Sequence, residues 1–219
     1  MKTIMCYGDS NTWGFIPKLN MPEFEAANRY PWDVRWTGRL QKLLGENYHI
    51  AEEGLNGRTT MFDCPLEDHR NGLKDIERCL LTHAPIDLVV IMLGTNDTKL
   101  TLRATDYVIA HGIERLIGRV RAGNYGPGGG MPEILVVSPI RMGDEVEHRW
   151  LRGEFDADSL ALDRKLAPAF RRAAEGAGVH FVDAGASVSA APEDCIHMNA
   201  EGHAALAELL CGEIKRILG

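Results

Sequence analysis

Between residues 86 and 93 the chain reads Ile-Asp-Leu-Val-Val-Ile-Met-Leu, and Glu133–Val137 follows suit with Glu-Ile-Leu-Val-Val. A strand with one wet face alternates apolar and polar side chains, whereas a strand covered on both faces carries an unbroken apolar run. These two runs therefore demand a sheet with a layer on either side. Three more segments, Thr3–Met5, Tyr48–Glu52 and Val179–Val182, bring the expected strands to five. The stretches between them space their apolar residues for helices: Val34–Leu44, Leu73–Leu81, Tyr107–Val120, Leu160–Phe170 and Ala204–Leu218. In Tyr107–Val120, for example, Ile109, Ile113, Leu116, Ile117 and Val120 fall on one face. Strand and helix alternating five times predict an α/β chain, a parallel sheet between two helical layers.

No repeat, low-complexity tail or linker interrupts the 219 residues, which predicts one domain over 1–219 with a large core. Three stretches exceed plain connections, 15–31, 56–72 and 140–158, and loops of that length in such folds serve as lids, binding loops or contact surfaces. The glycine tract 123–130 precedes a strand instead of joining a strand to a helix, so it reads as a surface loop and not as a dinucleotide cradle. A net charge of −7 argues against wrapping nucleic acid or an anionic membrane. With no basic-then-apolar leader and no run near membrane length, a cytoplasmic protein is expected. The five cysteines lack CxxC spacing and are odd in number, which favours reduced thiols over disulfides or structural zinc.

Ligands of open parallel sheets bind at the carboxyl ends of the strands. The first strand is followed by Gly8-Asp9-Ser10-Asn11, and the second by Glu53-Gly54-Leu55-Asn56-Gly57-Arg58-Thr59-Thr60. The third leads into Gly94-Thr95-Asn96-Asp97, and some way after the fifth stands Asp194-Cys195-Ile196-His197. Each alone is a polar turn. Gathered on one edge, they make up the inventory that acyl transfer requires: a nucleophile, a base with its carboxylate, and donors.

These blocks, in this order, resemble the SGNH hydrolases, also called GDSL esterases. Gly8-Asp9-Ser10 matches the first block, Gly57 the second, Gly94-Thr95-Asn96-Asp97 the third and Asp194-Cys195-Ile196-His197 the last. Arg35-Trp36-Thr37-Gly38, 52–60 and 87–99 look most like the bacterial arylesterase and acyltransferase branch, known also for perhydrolysis. The resemblance spans nearly the whole chain and implies a three-layer, flavodoxin-like five-stranded fold, a serine esterase without cofactor or metal, and a small-molecule ester substrate. Two positions depart from the pattern. Asn11 stands where the family usually has Leu, and Gly57 where the branch tends to carry another small residue.

The chemistry also follows from the residue types. A serine hydroxyl needs a base, for which His197 is the candidate; Asp194, three residues earlier, is placed to hold its ring in one tautomer. The Ser10 and Gly57 backbone N–H groups and the Asn96 amide are the candidate donors to a developing oxyanion. Asp9 is expected to brace the loop. Cys195 as nucleophile is the weaker alternative, because it and His197 are too close in sequence for a productive geometry. Trp13, Phe15 and Trp150 are candidates for the acyl or alcohol pocket, with core packing the equal alternative. His49 and His180 read as structural, and the other histidines share no metal-ligand spacing.

The leading expectation is an esterase or acyltransferase for small aryl or alkyl esters. The alternatives are a carbohydrate O-deacetylase, a thioesterase, or a non-catalytic module holding a phosphate at residues 8–12. Loops 15–31 and 56–72 carry Phe15, Ile16, Leu19, Met21, Phe24, Met61, Phe62 and Leu66, more apolar side chains than a solvated loop needs. The resemblance adds that such loops meet in homo-oligomers of the branch, so a homo-oligomer narrowed at its entrance is expected.

Overall fold

The computed structural model describes residues 1–20, 23 and 27–219. Five strands, β1 (Lys2–Gly8), β2 (Tyr48–Gly54), β3 (Leu88–Met92), β4 (Glu133–Val137) and β5 (His180–Val182), form one sheet in the order β2-β1-β3-β4-β5. Every pairing is parallel. The helices are α1 (Ser10–Trp13), α2 (Trp36–Leu44), α3 (Gly72–His83), α4 (Asp106–Arg121), α5 (Ala157–Ala177) and α6 (Ala200–Leu218).

Period-two alternation divides the strands between two cores. Met5, Tyr7, Val89, Ile91, Ile134 and Val136 face α3, α4 and α5, where Ile76, Leu80, Ile113, Leu116 and Phe170 meet them. Ile4, Cys6, Leu88, Val90, Leu135 and Val137 face α2 and α6, meeting Trp36, Leu40, Leu206, Leu210 and Ile214. Both faces are covered, as the unbroken apolar runs require.

Element ends depart from the apolar periodicity where polar caps decide them. Helix α5 starts at Ala157 because the Asp156 carboxylate accepts the Ser159 N–H at 3.0 Å, and it stops at Gly178, left-handed at φ 63°. Helix α6 starts four residues before the expected Ala204 because Asn199 caps it, accepting from the Gly202 N–H at 2.9 Å. Strand β2 continues to Gly54, which pairs in register with Gly8.

With β1 flanked by β2 and β3, the chain's connections reverse direction between β1 and β3. That switch point is where open α/β sheets leave a crevice at their carboxyl edge. Ser10 leaves β1 and Asn96 follows β3 there.

Candidate active site

The exit from β1 is dictated by space. A Cβ on Gly8 would lie 2.1 Å from Thr12 Oγ1 and 2.9 Å from the Met92 carbonyl oxygen, so no other residue lets α1 fold back so closely. The Asp9 carboxylate caps that helix, accepting the Asn11 N–H at 2.9 Å, and burial pushes its carboxyl up to about 6. Asp9 is therefore a brace of the turn. Ser10, the first residue of α1, is 6% exposed at the floor of a cleft.

Far along the chain, the segment 194–198 returns to the same edge. The Asp194 Oδ1 accepts the Ile196 and His197 N–H groups at 3.0 and 2.9 Å, which winds the segment tightly around the carboxylate. Its Oδ2 lies 2.8 Å from His197 Nδ1, and His197 Nε2 lies 2.9 Å from Ser10 Oγ. Burial alone would raise the Asp194 carboxyl, but the His197 ring and the two backbone donors more than offset it and hold it below the usual carboxylate range. An ionised carboxylate at Nδ1 fixes the proton there and leaves Nε2 as acceptor for the serine hydroxyl. The Phe15 ring lies 4.3 Å, centroid to centroid, from the imidazole. Cys195 is buried, with Sγ–H donating towards the Pro192 carbonyl at 3.8 Å, among Met142, Val146 and Phe155.

Gly57 and Asn96 line the same cleft. Gly57 is left-handed at φ 74°. Asn96 opens a single 3-10 turn, Asn96–Thr98, and donates one amide hydrogen to the Arg58 carbonyl at 3.1 Å. An amide nitrogen carries two hydrogens, so this bond sets the amide's orientation and leaves the other for a ligand.

Two residues to which the sequence reasoning gave no role hold these loops together. Buried Arg58 donates to the Gly8 carbonyl at 2.8 Å and to the Glu53 carbonyl, with its guanidinium 4.1 Å from the Tyr7 ring centroid. Buried Asp97 accepts the Thr60 N–H at 2.9 and 3.1 Å and the Thr60 hydroxyl, and burial pushes its carboxyl up to about 7. Their only sequence signal was their place inside the polar blocks that follow β2 and β3.

The cleft encloses about 160 Å³. Space of that order holds a benzene-sized group. Phe15, Trp150, Leu151, Phe155 and Ile196 supply apolar walls; Asn56, Glu67, Lys99 and Glu154 supply polar ones. Lys99 is buried and paired with Glu154, with its Nζ 5.8 Å from the Phe155 centroid. Trp150 is held by Nε1–H donating to the Lys18 carbonyl at 2.9 Å. Trp13, by contrast, does not line the cleft: its ring lies under the Arg29 guanidinium at 4.8 Å, so it holds Arg29 against the fold. Leu151, Phe155 and Ile196 went unsingled in the sequence because nothing local distinguishes them from core residues.

Among the described residues no cluster of His, Cys, Asp or Glu suits a metal ion, and no helix is long and apolar enough to cross a membrane. His203 is buried, its Nδ1 accepts the Trp36 N–H at 3.2 Å, and burial pushes the ring down to about 3, so it is a neutral structural histidine.

A family model of GDSL-like lipases and acylhydrolases matches residues 6–205. Among solved structures, the inhibitor-bound aryl esterase of M. smegmatis is 37% identical, with all of both chains covered and a TM-score of 0.92. A carbohydrate acetylesterase from Sinorhizobium meliloti is also 37% identical over all of both chains, at a TM-score of 0.90. A member of the lipolytic G-D-S-L family from Veillonella parvula shares the fold at 15% identity and a TM-score of 0.68, with 99% of this chain and 100% of that one covered. No curated protein gave a significant sequence match.

Proposed function

The chain belongs to the GDSL-like lipase/acylhydrolase family and is a carboxylic ester hydrolase, and from that premise we propose that it cleaves small acyl esters through an acyl-enzyme on Ser10. The observation that carries this reading is the continuous hydrogen-bonded chain Ser10 Oγ, His197 Nε2, His197 Nδ1, Asp194 Oδ2, with links of 2.9 and 2.8 Å. In the first step Ser10 Oγ attacks the carbonyl carbon while its proton passes to His197 Nε2. Asp194 stabilises the imidazolium that forms. The carbonyl oxygen, now an anion, takes hydrogen bonds from the Ser10 and Gly57 N–H groups and the free amide hydrogen of Asn96. Collapse expels the alcohol, which leaves with the proton from His197. Water, or an alcohol or peroxide in its place, then gives its proton to His197 and attacks the acyl-enzyme. Collapse breaks the bond to Ser10 Oγ, which takes the proton back from His197, and releases acid, a new ester or a peracid.

The test is turnover of a chromogenic aryl acetate together with labelling by an organophosphate. Ser10→Ala should abolish both turnover and label, and in wild type one label per chain should map to Ser10. A label on Cys195, or labelled protein that stays active, overturns the mechanism.

Carbohydrate O-deacetylation is the second reading. It is favoured by the polar half of the cleft, Asn56, Glu67, Lys99 and Glu154, which suits a hydroxyl-rich alcohol, and by the S. meliloti relative. Comparing acetylated sugars with aryl acetates separates the two. We further infer that the chain acts as one domain in the cytoplasm, in keeping with five free cysteines. It is read as a homo-oligomer joined through loops 15–31 and 56–72. Supporting the last point, Leu19 and Leu66 stand 66% and 68% exposed on those loops; Met21 and Phe24 lie outside the described residues.

A further inference from the structure

Asn11 follows the nucleophile directly, yet its side chain does not line the cleft and is 3% exposed. Its Nδ2 donates to the Ile196 carbonyl at 3.2 Å, and its Oδ1 accepts the Met198 N–H at 2.9 Å. Those two groups flank His197. The amide thus satisfies one acceptor and one donor of the base-bearing segment from a position one residue beyond Ser10, and only one amide orientation does both. The segment it grips is not in a relaxed conformation: Cys195 is left-handed at φ 65° without being glycine. Such a residue persists only where its surroundings over-determine it. Asp194 grips the segment from within, through the Ile196 and His197 N–H groups, and Asn11 grips it from the nucleophile's side.

We propose that Asn11 is a positioning residue that sets the Ser10 Oγ to His197 Nε2 distance by tying α1 to the two peptide groups on either side of His197. The inference rests on the assignment of Ser10 and His197 as nucleophile and base. A leucine here would fill similar space and offer neither bond, so the two segments would be held only by packing. Small misplacements of a base are costly to rate and nearly silent in ground-state binding.

The experiment is a double-mutant cycle with Asn11→Leu and His197→Ala, on a small aryl acetate. Active sites are counted by organophosphate labelling where His197 is present and by the concentration of folded protein in the His197→Ala background. Asn11→Leu should lower kcat per active site by about ten- to a hundred-fold, leaving KM within about two-fold. In the His197→Ala background the same substitution should change the residual rate by less than about three-fold, because the group it positions is gone. A general structural defect would instead lower both backgrounds alike. Should Asn11→Leu fail to fold, Asn11→Asp carries the same cycle; it keeps the acceptor for Met198 and loses the donor to Ile196. A loss below about three-fold in the wild-type background, or one that recurs undiminished without His197, overturns the proposal. A His197→Ala protein that keeps wild-type turnover overturns the base assignment instead, and the single variant alone shows it.

Discussion

In the proposed mechanism Asn96 divides its amide between structure and chemistry. One hydrogen is committed to the Arg58 carbonyl, so the other is presented without any reorientation when an oxyanion forms. Donors of this kind contribute chiefly in the transition state. Asn96→Ala should therefore lower kcat by about a hundred- to a thousand-fold with little change in KM, measured by initial rates on an aryl acetate. The Arg58 carbonyl loses its partner as well, which should cost about 1 kcal/mol of stability in denaturant titration. A change confined to KM would reassign Asn96 to substrate binding.

Strand ends and the turns that leave them carry the next level of constraint. The junction of β1 and α1 depends on hydrogen at the Gly8 Cα, since a methyl there would meet Thr12 Oγ1 and the Met92 carbonyl inside contact distance. Gly8→Ala should destabilise by about 1–3 kcal/mol or more and lose most activity, because the displaced group is the helix that begins with Ser10. A Gly8→Ala protein with wild-type melting and turnover would show that the junction yields. The turn after β3 is tied to the loop after β2 by the Asp97–Thr60 bonds, and this link titrates. Burial raises the Asp97 carboxyl from 3.8 to about 7, so the folded chain holds that proton after the unfolded chain has released it. The stabilisation is fully present below the unfolded value and is lost as pH rises through the folded one. Asp97→Asn keeps an acceptor for the Thr60 N–H and cannot titrate. From about pH 4 to about pH 7 the wild type should lose stability relative to that variant by up to about 1.4 kcal/mol per pH unit, and the difference should level off above. Urea unfolding at a series of pH values measures it; parallel curves would refute the link.

For the molecule as a whole, Phe15 of loop 15–31 and Asn56, Gly57 and Glu67 of loop 56–72 line the cleft, and the same loops present Leu19 and Leu66 to solvent. Of the apolar side chains the sequence places on these loops, Phe15 is buried against His197 and Phe62 packs on the core, so the proposed contact between copies rests on Leu19 and Leu66. Light scattering at micromolar concentration should return a multiple of the 24.2 kDa chain mass. Leu19→Asp with Leu66→Asp should reduce it, and a monomeric wild type ends the idea. If the loops also narrow the entrance, turnover should fall steadily from acetate to long-chain esters. Equal rates across the series would show an open cleft.

Five strands in two-sided cover, the five long helices and the four polar blocks were legible in the chain, because each is written in local pattern; the one-turn helix α1, too short for a periodicity, was not. Apolar runs report burial on both faces, and turn residues clustered at strand ends report an edge rich in chemistry. Ser10, Gly57, Asn96, Asp194 and His197 belonged to those blocks. Other features depended on contacts between residues remote in sequence. Nothing near Trp13 says that Arg29 covers it while Phe15 and Trp150 reach the cleft. Arg58 and Asp97 gain their roles only when the ends of β1, β2 and β3 come together. Asn11 read only as a departure from the family pattern until the fold set it against residues 196 and 198, 185 and 187 positions along the chain. Local periodicity encodes which face of an element is covered, but the identity of the covering partner is a property of the closed fold, where packing and hydrogen-bond geometry assign it.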